Sequence, residues 1–148
     1  MSDGYLQIGQ VAERTELSLK TIRHYDEVGL VQPSARSSGG FRLYTAADIE
    51  RLLVIRRMKP LGFTLDEMKR LLDSLDALGD TRATGDRRAA AAAELLAFQE
   101  KARESAERLR KQLAYAQEFT ELLADRVGPP QCTEDPAAPA GEDGALTP

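Results

Sequence analysis

Two Arg-x-Tyr pairs, Arg23/Tyr25 and Arg42/Tyr44, carry the most legible chemistry in this chain. A guanidinium supplies charge and a planar fork of donors for phosphate oxygens. A neighbouring phenol supplies a directional hydroxyl and a flat apolar face. Repeated on two separate elements, such pairs would grip a polyanionic backbone at two points and hold the intervening surface in register. No catalytic residues are expected. The only histidine is His24, no Ser/His/Asp or Cys/His set can be assembled, and no glycine-rich phosphate loop occurs.

The pairs need elements to carry them. Ser18 can cap a helix near 18–28, in which Leu19 and Ile22 face inward. Lys20, Thr21, Arg23 and His24 then turn outward. A shorter helix near 8–15 precedes it, with Ile8, Val11 and Ala12 inward. Beyond Gly29, Leu30-Val31, a Ser/Gly-rich turn and Phe41-Arg-Leu-Tyr44 read as a hairpin. Period-two alternation sends Phe41 and Leu43 one way, and Arg42 and Tyr44 the other.

Two further helices are predicted near 46–59 and 64–78. Thr45-Ala-Ala-Asp48 and Thr64-Leu-Asp-Glu67 are capping boxes, with Tyr44/Ile49 and Phe63/Met68 spaced as hydrophobic staples. The whole is a mostly α chain: a helix-turn-helix with a hairpin wing and a two-helix extension.

Bulk charge taken alone opposes a polyanion, since the 148 residues carry a formal net charge of −4. Its distribution reverses that inference. From Ser18 to Gly62 eight basic residues stand against four acidic ones, whereas no Lys or Arg follows Arg126, and Glu134, Asp135, Glu142 and Asp143 lie beyond it. The last stretch, 128–148, holds five of the seven prolines and is expected to be a disordered acidic tail.

After a polar break at 79–86, the stretch 87–127 contains no Gly or Pro. Leu95, Ala102, Leu109, Ala116 and Leu123 recur every seven residues, with Phe98, Ala106, Leu113 and Phe119 between them. That is a coiled-coil seam on a helix about 60 Å long. Leu95, Phe98, Ala102, Leu109, Leu113, Ala116, Phe119 and Leu123 are therefore expected to meet a partner, most simply a second copy of the chain.

The ordered set IGQVAERT, SLKTIRHYDEVGL, SSGGFRLYTAADI and LGFTLDEMKRLL, from Ile8 to about Leu75, resembles the MerR family of bacterial transcriptional regulators. The resemblance covers about half the chain, and the long helix falls where that family's dimerisation helix belongs. It implies a winged helix-turn-helix DNA-binding domain at 5–78, a linker at 79–86 and an antiparallel coiled-coil helix at 87–127. It also implies a homodimer on double-stranded promoter DNA, which bends and untwists the spacer so that RNA polymerase can engage both promoter elements.

By that resemblance Arg23 and Tyr25 match the family's recognition-helix pair, Arg42 and Tyr44 its wing pair, Arg36 a basic wing-tip position and Lys59 a phosphate-holding position. Ser18, Lys20, Thr21 and His24 complete the expected DNA-facing set. Three positions depart from the family pattern: Glu16 stands where a turn glycine is usual, His24 replaces a common aromatic, and Pro60 interrupts the link between the third and fourth helices.

Metal-sensing relatives carry thiolates near the start of the long helix, but here that start reads Gly-Asp-Arg-Arg and the single Cys132 lies in the tail. No metal and no cofactor are expected. A small-molecule effector, if one acts, would bind around 79–98. The lone cysteine, the lack of a secretory leader and the lack of any long apolar run point to a cytoplasmic protein with no membrane partner. Two rival readings remain: an architectural, excisionase-like DNA-bending protein without control of transcription, and a coiled-coil interaction protein.

Overall fold

The computed structural model describes residues 4–128. Its elements are β1 (Leu6–Gln7), α1 (Ile8–Thr15), α2 (Leu19–Glu27), β2 (Ala35–Arg36), β3 (Arg42–Tyr44), α3 (Ala46–Met58), a 3₁₀ turn (Lys59–Leu61), α4 (Leu65–Gly79) and α5 (Gly85–Val127). The tail and Cys132 lie outside the described residues.

Each helix begins where its capping chemistry requires. Ser18 accepts from the Thr21 amide at 3.0 Å. Thr45 and Asp48 exchange side-chain and backbone bonds as a capping box, as do Thr64 and Glu67. Thr84 caps α5, accepting from the Arg87 amide at 3.2 Å.

The wing is a three-stranded antiparallel sheet in the order β1-β3-β2, with Leu6 opposite Tyr44 and Arg36 opposite Arg42. The hairpin expected from sequence had two strands. Leu6–Gln7 is too short to show alternation, and it becomes a strand only because β3 offers a free edge. Leu30 and Val31, expected to lead into the hairpin, are buried in the core instead, and the first wing strand lies at Ala35–Arg36. Their amides both bond the Tyr25 carbonyl, at 2.8 and 3.2 Å, closing α2.

The core joins Val11 of α1, Ile22 and Tyr25 of α2, Tyr44 of β3, and Leu52 and Ile55 of α3 with Met68 and Leu72 of α4 and Phe98 of α5. Arg56 of α3 reaches back to donate to the Thr15 carbonyl at 2.8 Å, closing the C-terminal end of α1. The helix-turn-helix turn passes through Glu16 in the left-handed region (φ 58°, ψ 24°), where its amide bonds the Ala12 carbonyl. Lack of the usual glycine has therefore not relaxed the turn. Glu16 adopts the left-handed conformation and bears its steric cost.

Compactness divides the chain at Arg108/Leu109, inside α5. In the first unit the opening half of α5 lies on α4. Arg70 Nε donates to Glu94 at 2.8 Å, Ser74 donates to the same carboxylate at 2.9 Å, and Lys101 pairs with Glu67. Hydrogen bonds from Lys101 hold the Glu67 carboxyl below its ordinary range, and those from Ser74 and Arg70 do the same for Glu94.

Phe98 is buried against Phe63, with ring centroids 5.9 Å apart and Arg70 over its outer face. The heptad repeat places Phe98 in a partner seam, but the fourth helix and the 3₁₀ turn offer a closer apolar surface, and the ring goes there. Leu95 and Ala102 are half-buried in the same unit and flank an open apolar groove of about 300 Å³. In the second unit α5 continues with Leu109, Leu113, Ala116, Phe119 and Leu123 all exposed.

Candidate nucleic-acid interface

Helix geometry sorts the first Arg/Tyr pair. Residues two apart on a helix point about 200° apart, so Arg23 and Tyr25 cannot share a face. Ile22 is fully buried, and Tyr25, one turn on, follows it inward to 3% exposure. Lys20, Arg23 and His24 stay exposed, and neither Lys20 nor Arg23 has a hydrogen-bonding or ionic partner among the described residues. Leu19, expected in the core, is instead 39% exposed beside them.

On the wing, Arg42 and Tyr44 do share a face, as period-two alternation requires, but that face is the inner one. Tyr44 has no exposure, and its hydroxyl has no hydrogen-bond partner. It packs as the residue preceding the α3 cap, in the staple with Ile49. Burial raises the pKa of both phenols above the ordinary value. The rings of Tyr25 and Tyr44 are therefore part of the core. The same inversion turns Phe41, expected to face inward, out to 66% exposure.

The arginines of the wing are held. Asp26, on the inner side of α2 with its side chain only 10% exposed, accepts Arg42 Nε at 2.6 Å and Arg36 Nη2 at 3.3 Å through the same oxygen. That hydrogen bond is the leading cause of a raised Arg42 pKa. Arg36 Nη1 also donates to the Gly40 carbonyl at 3.1 Å, tying the wing turn. The turn itself is closed by Ser37, whose amide bonds the Phe41 carbonyl at 2.9 Å, with Gly40 at φ 82°.

These elements meet at a notch of about 130 Å³, lined by Gln7, Ile8, Arg23, Gly40, Phe41 and Arg42. One guanidinium arrives from the helix and one from the wing. The hydroxyls of Ser18 and Thr21, at the start of α2, are 2.8 Å apart and satisfy each other. Lys59 is exposed at the start of the 3₁₀ turn, without a partner among the described residues. Sequence reasoning missed Asp26 and Phe41. Asp26 had a signal, since it lies four residues after the buried Ile22. Phe41 had none, because alternation gives two faces without saying which is inner.

Two family profiles match: "MerR HTH family regulatory protein" over residues 6–75, and "MerR, DNA binding" over residues 49–116. The transcriptional regulator CueR of Vibrio cholerae is 37% identical over 123 residues, covering 83% of this chain and 82% of that protein.

The chain belongs to the MerR family.

Two transcriptional activators match over a smaller share of the chain. The transcriptional activator mta of Bacillus subtilis is 49% identical over 67 residues, covering 45% of this chain and 26% of the activator. TipA of Streptomyces coelicolor is 46% identical over 76 residues, 51% of this chain and 29% of that protein. The chain thus spans between a quarter and a third of these activators. Among solved structures, a MerR-family regulator from Bacillus thuringiensis superposes with a TM-score of 0.63 at 21% identity, over 82% of this chain and 98% of that one. HiNmlR, a MerR-family regulator lacking the sensor domain and bound to promoter DNA, gives 0.59 at 24% identity, over 83% of each. These likenesses are of fold.

Among the described residues no group of three His, Cys, Asp or Glu side chains is placed to hold a metal, and no helix is long and apolar enough to cross a membrane.

Proposed function

We propose that this MerR-family chain is a sequence-specific transcriptional regulator that binds promoter DNA as a homodimer and distorts it to control initiation by RNA polymerase. The observation that carries the reading is the notch, where Arg23 of α2 and Arg42 of the wing converge beside the exposed Phe41. Two cations from separate elements suit one phosphate and leave the outer face of α2, with Lys20 and His24, for the major groove. Lys59 supplies a further phosphate contact. CueR, mta and TipA are named as regulators or activators of transcription, which supports the same assignment.

Dimerisation is supported by the second unit, where Leu109, Leu113, Phe119 and Leu123 are exposed along one continuous helix. Apolar side chains at heptad spacing with no cover of their own fit an antiparallel second copy.

Fluorescence anisotropy on duplexes selected from a random pool tests the reading. Affinity should fall by about 10³ or more between 50 and 200 mM salt, as expected for six or more phosphate contacts. Arg23→Ala should abolish detectable binding. Salt-insensitive association, or unchanged binding by Arg23→Ala, would overturn it. Transcription from the bound promoter, with and without the protein, separates a regulator from a purely architectural factor.

A further inference from the structure

Asp26 is a puzzle for a polyanion-binding surface, because a carboxylate bonded to two of its arginines should repel phosphate. Its geometry resolves the puzzle. Asp26 is nearly buried on the flank of α2, whereas Arg42 is 24% and Arg36 50% exposed. The acid lies behind the arginines, and its two contacts are with wing residues alone. We infer that Asp26 is a positioning residue for DNA binding, fixing the wing against α2 and presenting Arg42 to the phosphate seated between Arg42 and Arg23. The inference rests on the DNA-binding reading and assigns a role to a residue that would not itself touch DNA.

The donor inventory shows how. Arg42 gives only Nε to Asp26, so Nη1 and Nη2 have no partner among the described residues and remain a fork for a phosphate. Arg36 is spent differently. One of its terminal nitrogens goes to Asp26 and the other to the Gly40 carbonyl, which makes it a tie between α2 and the wing turn. The two wing arginines therefore divide the work: Arg42 contacts phosphate, and Arg36 holds the turn that carries it. In the sequence reading both arginines belonged to the DNA-facing set, with Arg36 at its basic wing tip.

Two effects of opposite sign compete at Asp26. Its charge weakens the local field, but the bonded arginines leave the cluster with a net positive charge. Against that stands the cost of ordering long side chains on binding, roughly two- to twelvefold in affinity for each. With two arginines already ordered, positioning outweighs the lost charge.

The test measures duplex affinity and its salt dependence for the full chain. Asp26→Asn is nearly isosteric and should weaken binding about tenfold, the equivalent of ordering two side chains. Asp26→Glu should recover most of the loss. In an Arg36→Ala/Arg42→Ala background, Asp26→Asn should add less than about twofold, because a residue acting through others shows no further effect once they are gone. Combined with Lys59→Ala, its effect should simply add. A general structural defect would add in both backgrounds and lower the melting temperature. Wild-type or tighter binding by Asp26→Asn overturns the inference, as does an undiminished loss in the arginine-free background. Failure of the wild-type chain to bind any duplex overturns the DNA-binding reading itself, so the two failures are distinguishable.

Discussion

Tyr44 illustrates how one residue can satisfy two patterns of which only one is realised. It sits two residues after Arg42, as a DNA-contacting pair would, and directly before the α3 cap, as a hydrophobic staple would. Burial decides for the staple, with no exposure and a hydroxyl that finds no partner. An unsatisfied buried hydroxyl costs about 1–3 kcal/mol. Tyr44→Phe should therefore raise the unfolding free energy by about 1 kcal/mol in urea titration and leave duplex affinity unchanged; a large loss of affinity would return Tyr44 to the interface. Glu16 bears a comparable local cost. A non-glycine residue in the left-handed region costs about 1–2 kcal/mol, and its ion pair with Arg56, at 3.7 Å with Glu16 itself 83% exposed, returns little. Glu16→Gly should gain about 0.5–1 kcal/mol after the greater chain entropy of glycine is subtracted, read as a higher melting temperature.

At the scale of elements, α5 is one helix with two environments. Its first half buries Ala91, Phe98 and Ser105 in the first unit, whereas 109–127 is exposed throughout. A heptad repeat runs through both, so periodicity alone could not separate them. Phe98→Ala should cost about 3 kcal/mol, the lower end for a buried aromatic, because the ring borders a groove that can partly close around the loss. Leu113→Ala should change the stability of the isolated subunit by less than about 0.5 kcal/mol. Equal effects from the two substitutions, measured at concentrations where the chain is monomeric, would contradict this division of the helix.

At the scale of the whole molecule, the exposed seam and the notch belong to one proposal, in which two copies present two winged domains to one duplex. Leu113→Asp combined with Phe119→Asp should leave each subunit folded by circular dichroism. It should also shift sedimentation from dimer to monomer and lower duplex affinity at least a hundredfold, since two linked domains bind far more tightly than one. Wild-type sedimentation as a monomer would remove the dimer from the proposal while leaving the single-domain interface to stand.

Much of this was readable beforehand. Helix starts were legible because caps are local: Ser18, Thr45 and Thr64 each bond an amide three residues on, and no distant contact is needed. The family was legible because an ordered set of short motifs survives in the chain, and the charge excess around α2 and α3 pointed to a polyanion before any fold was known. Which face is inner was not legible. Alternation in Phe41–Tyr44 fixes that Arg42 and Tyr44 agree without saying where they point, and that choice belongs to the third strand and the helices behind the wing. The Asp26 clamp joins residues 10 and 16 positions apart across a turn. The fate of Phe98 depends on Phe63, which lies 35 positions earlier in the chain. Local hydrogen bonding and periodicity are written along the chain. Sidedness, ion-pair partners and the division of a long helix between core and open surface follow from which surfaces meet, and only the folded arrangement sets that.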